Sequence, residues 1–320
     1  MQSQYPYTVK SIEIISPVFN EQECLPEFIN QCLAIFSEIP QYEWGLTLVE
    51  NGSTDNSWNI MQEKALHNPK IKLIKLSRNF GMDGGLTAGV SQSRADAIIL
   101  MASDLQDPPS AIPGFVEMWE KGYDNVYGIV TKRGGVPLIR RMNSQIFYFV
   151  ANRLTGNLIP RNVSDFRLLS KRMYSALDSM KEANRVVRGM IAWLGFKSVG
   201  IDVERAPRYG GQSKAHSWRV IGIGVRAILA NSYLPLRLIS FLGFFVSLGS
   251  ILSLVFTTIL FLFYGVPFPG FGTIISLILL LFGILFLILG ILSEYIGMIY
   301  EEVKMRPNFV IEEVKGLNQS

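Results

Sequence analysis

A chain of 320 residues has room for one sizeable globular domain plus a membrane part. Hydrophobic residues make up 49% of it, which is high for a wholly soluble protein, and the excess is concentrated near the C-terminal end. The formal charge of +4 suits anionic headgroups and phosphates better than nucleic acid, and no aromatic-basic RNA motif or recognition-helix pattern is present.

The first 130 or so residues alternate between strand and helix patterns. Ser11 to Ser16 reads as a strand and Gln22 to Phe36 as a helix, with Pro26 near the first turn, where proline is tolerated. Trp44 to Glu50 is a strand, Asp55 to His67 a helix, Ile71 to Leu76 a strand and Asp83 to Ser93 a helix. Ala97 to Met101 is the fourth strand, Ala111 to Lys121 a helix and Asn125 to Val130 the fifth strand. This rhythm predicts a mostly parallel sheet with helices on both faces, whose ligands bind beyond the carboxyl ends of the strands. Further on, Pro137 to Leu154 reads as a helix and Val163 to Ser170 as a strand. Lys171 to Leu194 reads as two helices bearing Lys171, Arg172, Lys181, Arg185 and Arg188. Together with Ser217 to Ala230, these basic amphipathic stretches are either an interfacial seat on a membrane or solvated faces.

Two stretches, Leu238 to Tyr264 and Thr273 to Ser293, carry no charged residue. Each is long enough to cross a hydrocarbon core as a helix, which takes about 20 residues. The connector from Gly265 to Gly272 is short and uncharged. Arg237 before the first span, and Lys304 and Arg306 after the second, predict a hairpin with both ends in the cytosol. Met1 to Lys10 lacks the apolar run of a secretory signal, so the large domain is expected to stay cytosolic. Asn308 to Val314 reads as a short strand. The only cysteines, Cys24 and Cys32, fall in a predicted helix and in no metal-ligand spacing, so they read as packing residues. His67 and His216 have no ligand partner in the sequence and read as ordinary surface or packing residues.

Three polar turns follow strands one, two and four: Asn20-Glu21, Glu50 to Asp55, and Asp104 to Asp107. Converging on one sheet edge, they make a candidate site. Asp104 supplies a carboxylate and Gln106 an amide oxygen, two residues apart on an extended turn, which suits Mg²⁺ or Mn²⁺ held jointly with substrate phosphates. Asp107, next to Pro108, is equally well a turn residue. No glycine-rich phosphate loop is present, which argues against an ATPase. Arg133, Arg140, Arg141 and Ser144 are placed in sequence to hold a phosphate, because guanidinium forks match phosphate oxygens; juxtamembrane charge for headgroups is the other reading. A phosphomonoester is largely ionised at neutral pH, so it can act as nucleophile without a strong general base.

The motifs Pro17-Val18-Phe19-Asn20-Glu21, Glu50-Asn51-Gly52-Ser53-Thr54-Asp55, Arg78-Asn79-Phe80-Gly81 and Asp104-Leu105-Gln106-Asp107-Pro108-Pro109 occur in order. With them the chain resembles the inverting GT-A enzymes of glycosyltransferase family 2. Ser164-Asp165-Phe166-Arg167, Arg208-Tyr209-Gly210-Gly211-Gln212-Ser213-Lys214 and Leu234-Pro235-Leu236-Arg237, with the two spans, narrow the resemblance to polyisoprenyl-phosphate glycosyltransferases. That group includes bactoprenol glucosyltransferases and dolichol-phosphate-mannose synthases. The resemblance implies that the first two turns hold base and ribose, through Pro17, Asn20, Glu21, Glu50 and Asn51, with Asp104 and Gln106 completing the nucleotide-sugar and metal site. It implies a role for Asp165 beside the reacting centre, orienting the sugar or acceptor or steering an arginine; the other reading makes it a structural partner of Arg167. Arg167, Arg208 and Lys214 join the acceptor-phosphate and diphosphate set, and the Arg208 to Lys214 loop is expected to close over the diphosphate. Two departures stand out: Ala102 occupies the first acidic position of the family's Asp-x-Asp turn, and Glu50-Asn51 replaces the usual Asp-Asp.

The expected architecture is α/β: a GT-A Rossmann-like core over 1–160, an acceptor-side segment with interfacial helices and a basic loop over 161–237, two transmembrane helices over 238–297, and a cytosolic tail with a short strand over 298–320. The expected activity is inverting transfer of a hexose, glucose first, from UDP-glucose to polyprenyl phosphate at the cytosolic face of a bacterial inner membrane. The expected partners are that donor, that acceptor, membrane lipids and further copies of the chain, and no nucleic acid. The alternatives are a catalytically impaired nucleotide-sugar-binding scaffold, a transferase of mannose, galactose or 4-amino-arabinose, and a polysaccharide synthase. The absence of a Gln-x-x-Arg-Trp motif disfavours the last.

Overall fold

The computed structural model describes residues 9–132, 163–183, 185–205 and 271–316, with isolated helical positions between 239 and 263. In chain order the elements are β1 (Ser11–Val18), α1 (Leu25–Glu38), β2 (Glu43–Glu50), α2 (Ser57–His67), β3 (Ile71–Leu76), α3 (Gly81–Gln92) and β4 (Ala97–Leu100). A 3-10 turn at Pro109–Ala111 leads into α4 (Ile112–Glu120) and β5 (Asn125–Lys132). After these come β6 (Val163–Ser170), α5 (Lys171–Ser179), α6 (Val187–Leu194), β7 (Ser198–Glu204), α7 (Phe271–Val303) and β8 (Ile311–Lys315).

The strands form one sheet in the order β7-β5-β6-β4-β1-β2-β3-β8. The pairs β1/β2, β2/β3, β1/β4 and β5/β7 are parallel, whereas β4/β6, β5/β6 and β3/β8 are antiparallel. The expected parallel core is therefore present, and three antiparallel pairings make the sheet mixed. The chain moves one way from β1 to β2 and the other way to β4, so the crevice at their carboxyl ends is a topological switch point.

Alternation along the strands explains the two layers. Ile12, Ile14, Leu46, Leu48 and Ile99 face one side and pack with Phe28, Ile29 and Cys32 of α1, Met61 of α2 and Phe115 of α4. Ile15, Val49, Ile98 and Leu100 face the other and pack with Leu86 and Val90 of α3, Met173 and Leu177 of α5, and Met190 and Ile191 of α6. The apolar runs in these strands are near-continuous because both faces are covered. Helix α3 lies unusually close to β1. A Cβ on Gly89 would stand 2.3 Å from Ile15 Cγ2, and one on Gly85 would stand 2.8 Å from Pro17 Cβ. Two glycines four residues apart thus let the start of α3 reach the sheet edge.

Strand β7 is an addition to the sequence reading, which stops its strands at β6 until the tail. Its short run Val199 to Val203 contains Gly200 and Asp202 and has no long apolar pattern. The two helices expected over Lys171 to Leu194 are present as α5 and α6, separated by the residues from Met180 to Val186. Three cations of this stretch are engaged within the protein: Arg172 with Asp124, Arg185 with the Leu177 and Met180 carbonyls, and Arg188 with Asp165. Arg172 stays largely exposed despite its pair, as does Lys171. The expected helices over Pro137 to Leu154 and Ser217 to Ala230 lie outside the described residues.

Among the described residues one helix, α7, is long and apolar enough to cross a membrane. Its 33 residues extend beyond the expected Thr273 to Ser293, and at 1.5 Å per residue it is about 50 Å long. Leu280, Phe286 and Leu289 on it are exposed. The other half of the expected hairpin, Leu238 to Tyr264, falls mostly outside the described residues. Where it is described, its positions are helical, and Phe241, Phe244 and Leu252 are exposed.

Candidate functional site

The antiparallel β6 decides which residues meet. Leu100 at the end of β4 pairs with Arg167, so Val163 to Phe166 lie beyond the carboxyl end of β4. Strand β7 runs parallel to β5 and delivers Glu204 and Arg205 to the same edge. The polar turns after β1, β2 and β4 open there too.

The first two turns are laced together. Asn20 takes a left-handed backbone, φ 53°, and its Oδ1 accepts from the Thr54 N–H at 2.7 Å. The Asn20 N–H donates to Ser53 Oγ at 3.0 Å, and the Glu21 N–H donates to Ser57 Oγ at 3.0 Å. Glu50, buried, accepts from the Ser53 N–H. Asn51 uses both ends of its amide on the third loop: Oδ1 accepts from the Phe80 N–H at 2.9 Å and Nδ2 donates to the Gly81 carbonyl at 2.7 Å. A Cβ on Gly52, at φ 74°, would sit 2.5 Å from the Asn79 nitrogen, so this approach requires glycine. Pro17 is wedged against α3 at Gly85. Asn20, Glu50 and Asn51 therefore act first as the frame of the turns, and partly exposed Glu21 lies at its rim.

The acidic turn is tied to β1 by Ser103, whose Oγ donates to the Pro17 carbonyl at 3.3 Å. Leu105 adopts φ 58°, and the Gln106 N–H donates to Asp104 Oδ1 at 3.2 Å. Asp104 is 7% exposed. Among the described residues no three His, Cys, Asp or Glu side chains converge. The turn offers one carboxylate and the amide oxygen of partly exposed Gln106. That donor set is all oxygen and sparse, and it fits a hard cation that takes its remaining ligands from water and a diphosphate.

Beyond it, Asp107 is 1% exposed and held from two sides. Arg205 donates from Nε to Oδ1 at 2.9 Å and from Nη2 to Oδ2 at 3.0 Å, and Ser164 Oγ donates to Oδ1 at 3.0 Å. This fork joins the acidic turn, β6 and the end of β7. Sequence reasoning left Asp107 undecided and missed Ser164 and Arg205. The available signal was their place inside or beside the quoted motifs.

Asp165 receives Arg188 in a fork onto Oδ1, with Nε at 3.0 Å and Nη2 at 2.8 Å. Its ion partner is thus Arg188 of α6 rather than Arg167. Arg167 is 3% exposed and donates to the Ser164 carbonyl at 3.0 Å. Burial pulls its guanidinium down to about 10, with Asp165 opposing. Asp83, in the first turn of α3, accepts from the Val187 N–H at 3.3 Å. Burial, then the charge of Asp165, push its carboxyl up to about 6, against the Val187 N–H and Arg188. Asp83 and Arg188 were not on the sequence-derived site. Arg133, Arg140, Arg141, Ser144, Arg208 and Lys214 lie outside the described residues.

The family model for "Glycosyl transferase family 2" matches residues 13–178, the stretch from β1 through α5. The chain belongs to glycosyl transferase family 2. The SfII prophage-derived bactoprenol glucosyl transferase of Shigella flexneri is 33% identical over 302 residues, covering 94% of this chain and 97% of that one. An uncharacterized glycosyltransferase of Synechocystis sp. is 32% identical over 306 residues, covering 96% of each. Among solved structures, glucosyl-3-phosphoglycerate synthase of Mycobacterium tuberculosis, in complex with Mn²⁺, UDP and phosphoglyceric acid, superposes with a TM-score of 0.51. It is 17% identical over 69% of this chain and 77% of that one, so the likeness is one of fold. This family 2 transferase has the Rossmann-like GT-A arrangement, with its polar turns on the carboxyl edge.

Proposed function

We propose that this transferase moves a hexose, glucose first, from a nucleotide diphosphate sugar, UDP-glucose first, to polyprenyl phosphate at the cytosolic face of a membrane. One observation carries the reading. The edge that holds Asp104, Asp107 and Asp165 is also the edge at which the apolar helix α7 returns its chain to the sheet, because β8 enters antiparallel beside the end of β3. A water-soluble donor and a lipid headgroup would meet there. The Shigella relative, named a bactoprenol glucosyl transferase, supports the same acceptor class.

The laced turns after β1 and β2 would receive base and ribose, presenting backbone groups and the rim carboxylate of Glu21. Asp104 and Gln106 would hold Mg²⁺ or Mn²⁺, which when bound would neutralise charge on the departing diphosphate. Asp165, fixed by Arg188, would orient the sugar or the incoming phosphate. The phosphate oxygen would attack the anomeric carbon as the bond to the nucleoside diphosphate breaks, inverting that carbon; no proton need be removed from an ionised phosphate. Arg133, Arg140, Arg141, Ser144, Arg208 and Lys214 would hold acceptor phosphate and diphosphate.

The test supplies membranes containing the protein with radiolabelled UDP-glucose and undecaprenyl phosphate, and reads label in the extracted lipid and the anomeric configuration by NMR. A β-linked glucosyl lipid from an α-linked donor is expected; label entering no lipid from any of a panel of nucleotide sugars would refute the reading. Ala102 favours a second reading, a nucleotide-sugar-binding scaffold without turnover, which would retain labelled UDP-glucose in a filter-binding measurement and give no labelled lipid.

A further inference from the structure

The segment between α5 and α6 touches both the exit of α7 and the site edge. On one side the Ala183 N–H donates to Glu302 Oε2 at 2.9 Å, and Asn308 Nδ2 donates to the Glu182 carbonyl at 2.9 Å. Glu302 belongs to the last turn of α7, and Asn308 lies just before β8. On the other side the Val187 N–H donates to Asp83, and Arg188 forks onto Asp165. Ala183 lies five positions before Arg188. The Asn308 carbonyl also lies where a Cβ on Gly84 would stand 3.2 Å away, so the tail abuts α3 one residue from Asp83. The apolar packing is continuous as well. Phe309 and Ile311 of the tail lean on the cluster that contains Leu86 of α3 and Val187, Met190 and Ile191 of α6.

We propose that Glu302 and Asn308 are positioning residues for the transfer: from the exit of α7 they hold Glu182 and Ala183, and through them the fork of Arg188 on Asp165. The inference rests on the reading of Asp165 as a group beside the reacting centre. Their side chains hydrogen-bond to Ala183 and Glu182, so they act on Asp165 through another residue. Both hydrogen bonds lie at the surface, so losing them loosens the segment without unfolding the domain. Reacting groups tolerate little misplacement, an error of about 1 Å costing up to about 10²-fold in rate. An anchor five residues upstream of Arg188 is close enough to transmit part of that error.

The experiment uses the full-length protein in lipid nanodiscs with UDP-glucose and undecaprenyl phosphate. Variants are Glu302→Ala/Asn308→Ala, Glu302→Gln, Arg188→Ala and the triple alanine combination. The double alanine variant is expected to lose about three- to tenfold in kcat with the donor KM within about twofold of wild type. Glu302→Gln keeps an acceptor oxygen and is expected to retain wild-type turnover. The triple variant is expected to be no slower than Arg188→Ala alone, because both changes act on the same fork. A lowered Tm with unchanged kcat, or losses that multiply in the triple variant, would overturn the proposal. Hydrogen exchange gives a readout free of turnover: faster exchange at the Val187 and Phe166 amides of the double variant is expected, and unchanged exchange overturns the linkage. If the wild type transfers no sugar, the proposed function falls, and the exchange measurement still decides the linkage.

Discussion

Arg205 closes a two-bond fork on Asp107 across 98 residues of sequence, and the carboxylate it grips is almost fully buried. A buried carboxylate without its partner is costly, so this pair locks the end of β7 to the acidic turn. Arg205→Ala strands that charge and is expected to lower stability by about 3 kcal/mol. Urea unfolding monitored by tryptophan fluorescence checks this; a loss under about 1 kcal/mol would mean that water or a neighbouring cation replaces the guanidinium. Arg205→Lys keeps the charge but not the fork and should fall between.

Asp104 is the one carboxylate of the candidate cation site. Asp104→Ala is expected to reduce sugar transfer by at least about 10²-fold, and chelation of divalent ions should reduce the wild type to a similar level. Rates measured across a manganese titration give the check. A variant that keeps both the wild-type rate and its metal dependence would remove Asp104 from the site.

Asp83 makes a prediction with a definite sign. Its carboxyl titrates at about 6 in the folded protein, above its ordinary 3.8, owing to burial and then Asp165. The folded state therefore favours the protonated form. The associated stability is full below pH about 4 and is lost as pH rises through about 6. Asp83→Asn mimics the protonated form and still accepts from Val187. It should stabilise the protein by about 3 kcal/mol at pH 7.5 and by only about 1 kcal/mol at pH 4.5. Tm measured for both proteins across this range is the check, and a shift in the reverse sense at pH 7.5 would show that Arg188 outweighs burial.

Asn51 and Gly52 join the second turn to the third loop. Asn51→Ala leaves the Phe80 N–H and Gly81 carbonyl without their side-chain partner, a loss of about 1–3 kcal/mol. Gly52→Ala places a methyl 2.5 Å from the Asn79 nitrogen at positive φ and should cost at least as much. Thermal unfolding reads the stability, and donor KM should rise in both variants. An unchanged donor KM would separate this frame from nucleotide binding.

Much of the fold was legible because strand and helix patterns are local. Ile71 to Leu76 and Val163 to Ser170 occupy the expected positions, and most other ends differ by a few residues. Strand β7 was not legible: Gly200 and Asp202 interrupt its apolar run, and its pairing with β5 supplies the order that its own residues do not. At the site, the turns themselves were legible as motifs, but the duties of their side chains were not. Asn51 reads as a nucleotide contact in sequence, and nothing there signals that its amide also bridges two loops.

By itself the sequence determined the alternation of strands and helices, the placement of polar turns after strands, and the long apolar helix. All three follow from the order of apolar and polar side chains over one or two turns of chain. Tertiary structure alone decided which cation meets which carboxylate, Arg205 with Asp107 and Arg188 with Asp165, and set the tail beside Glu182 and Ala183. Those pairings depend on β6 running antiparallel between β4 and β5, and on β8 closing the far edge. Strand direction and order are set by packing of the whole sheet, and the spacing of two charges along a chain does not encode them.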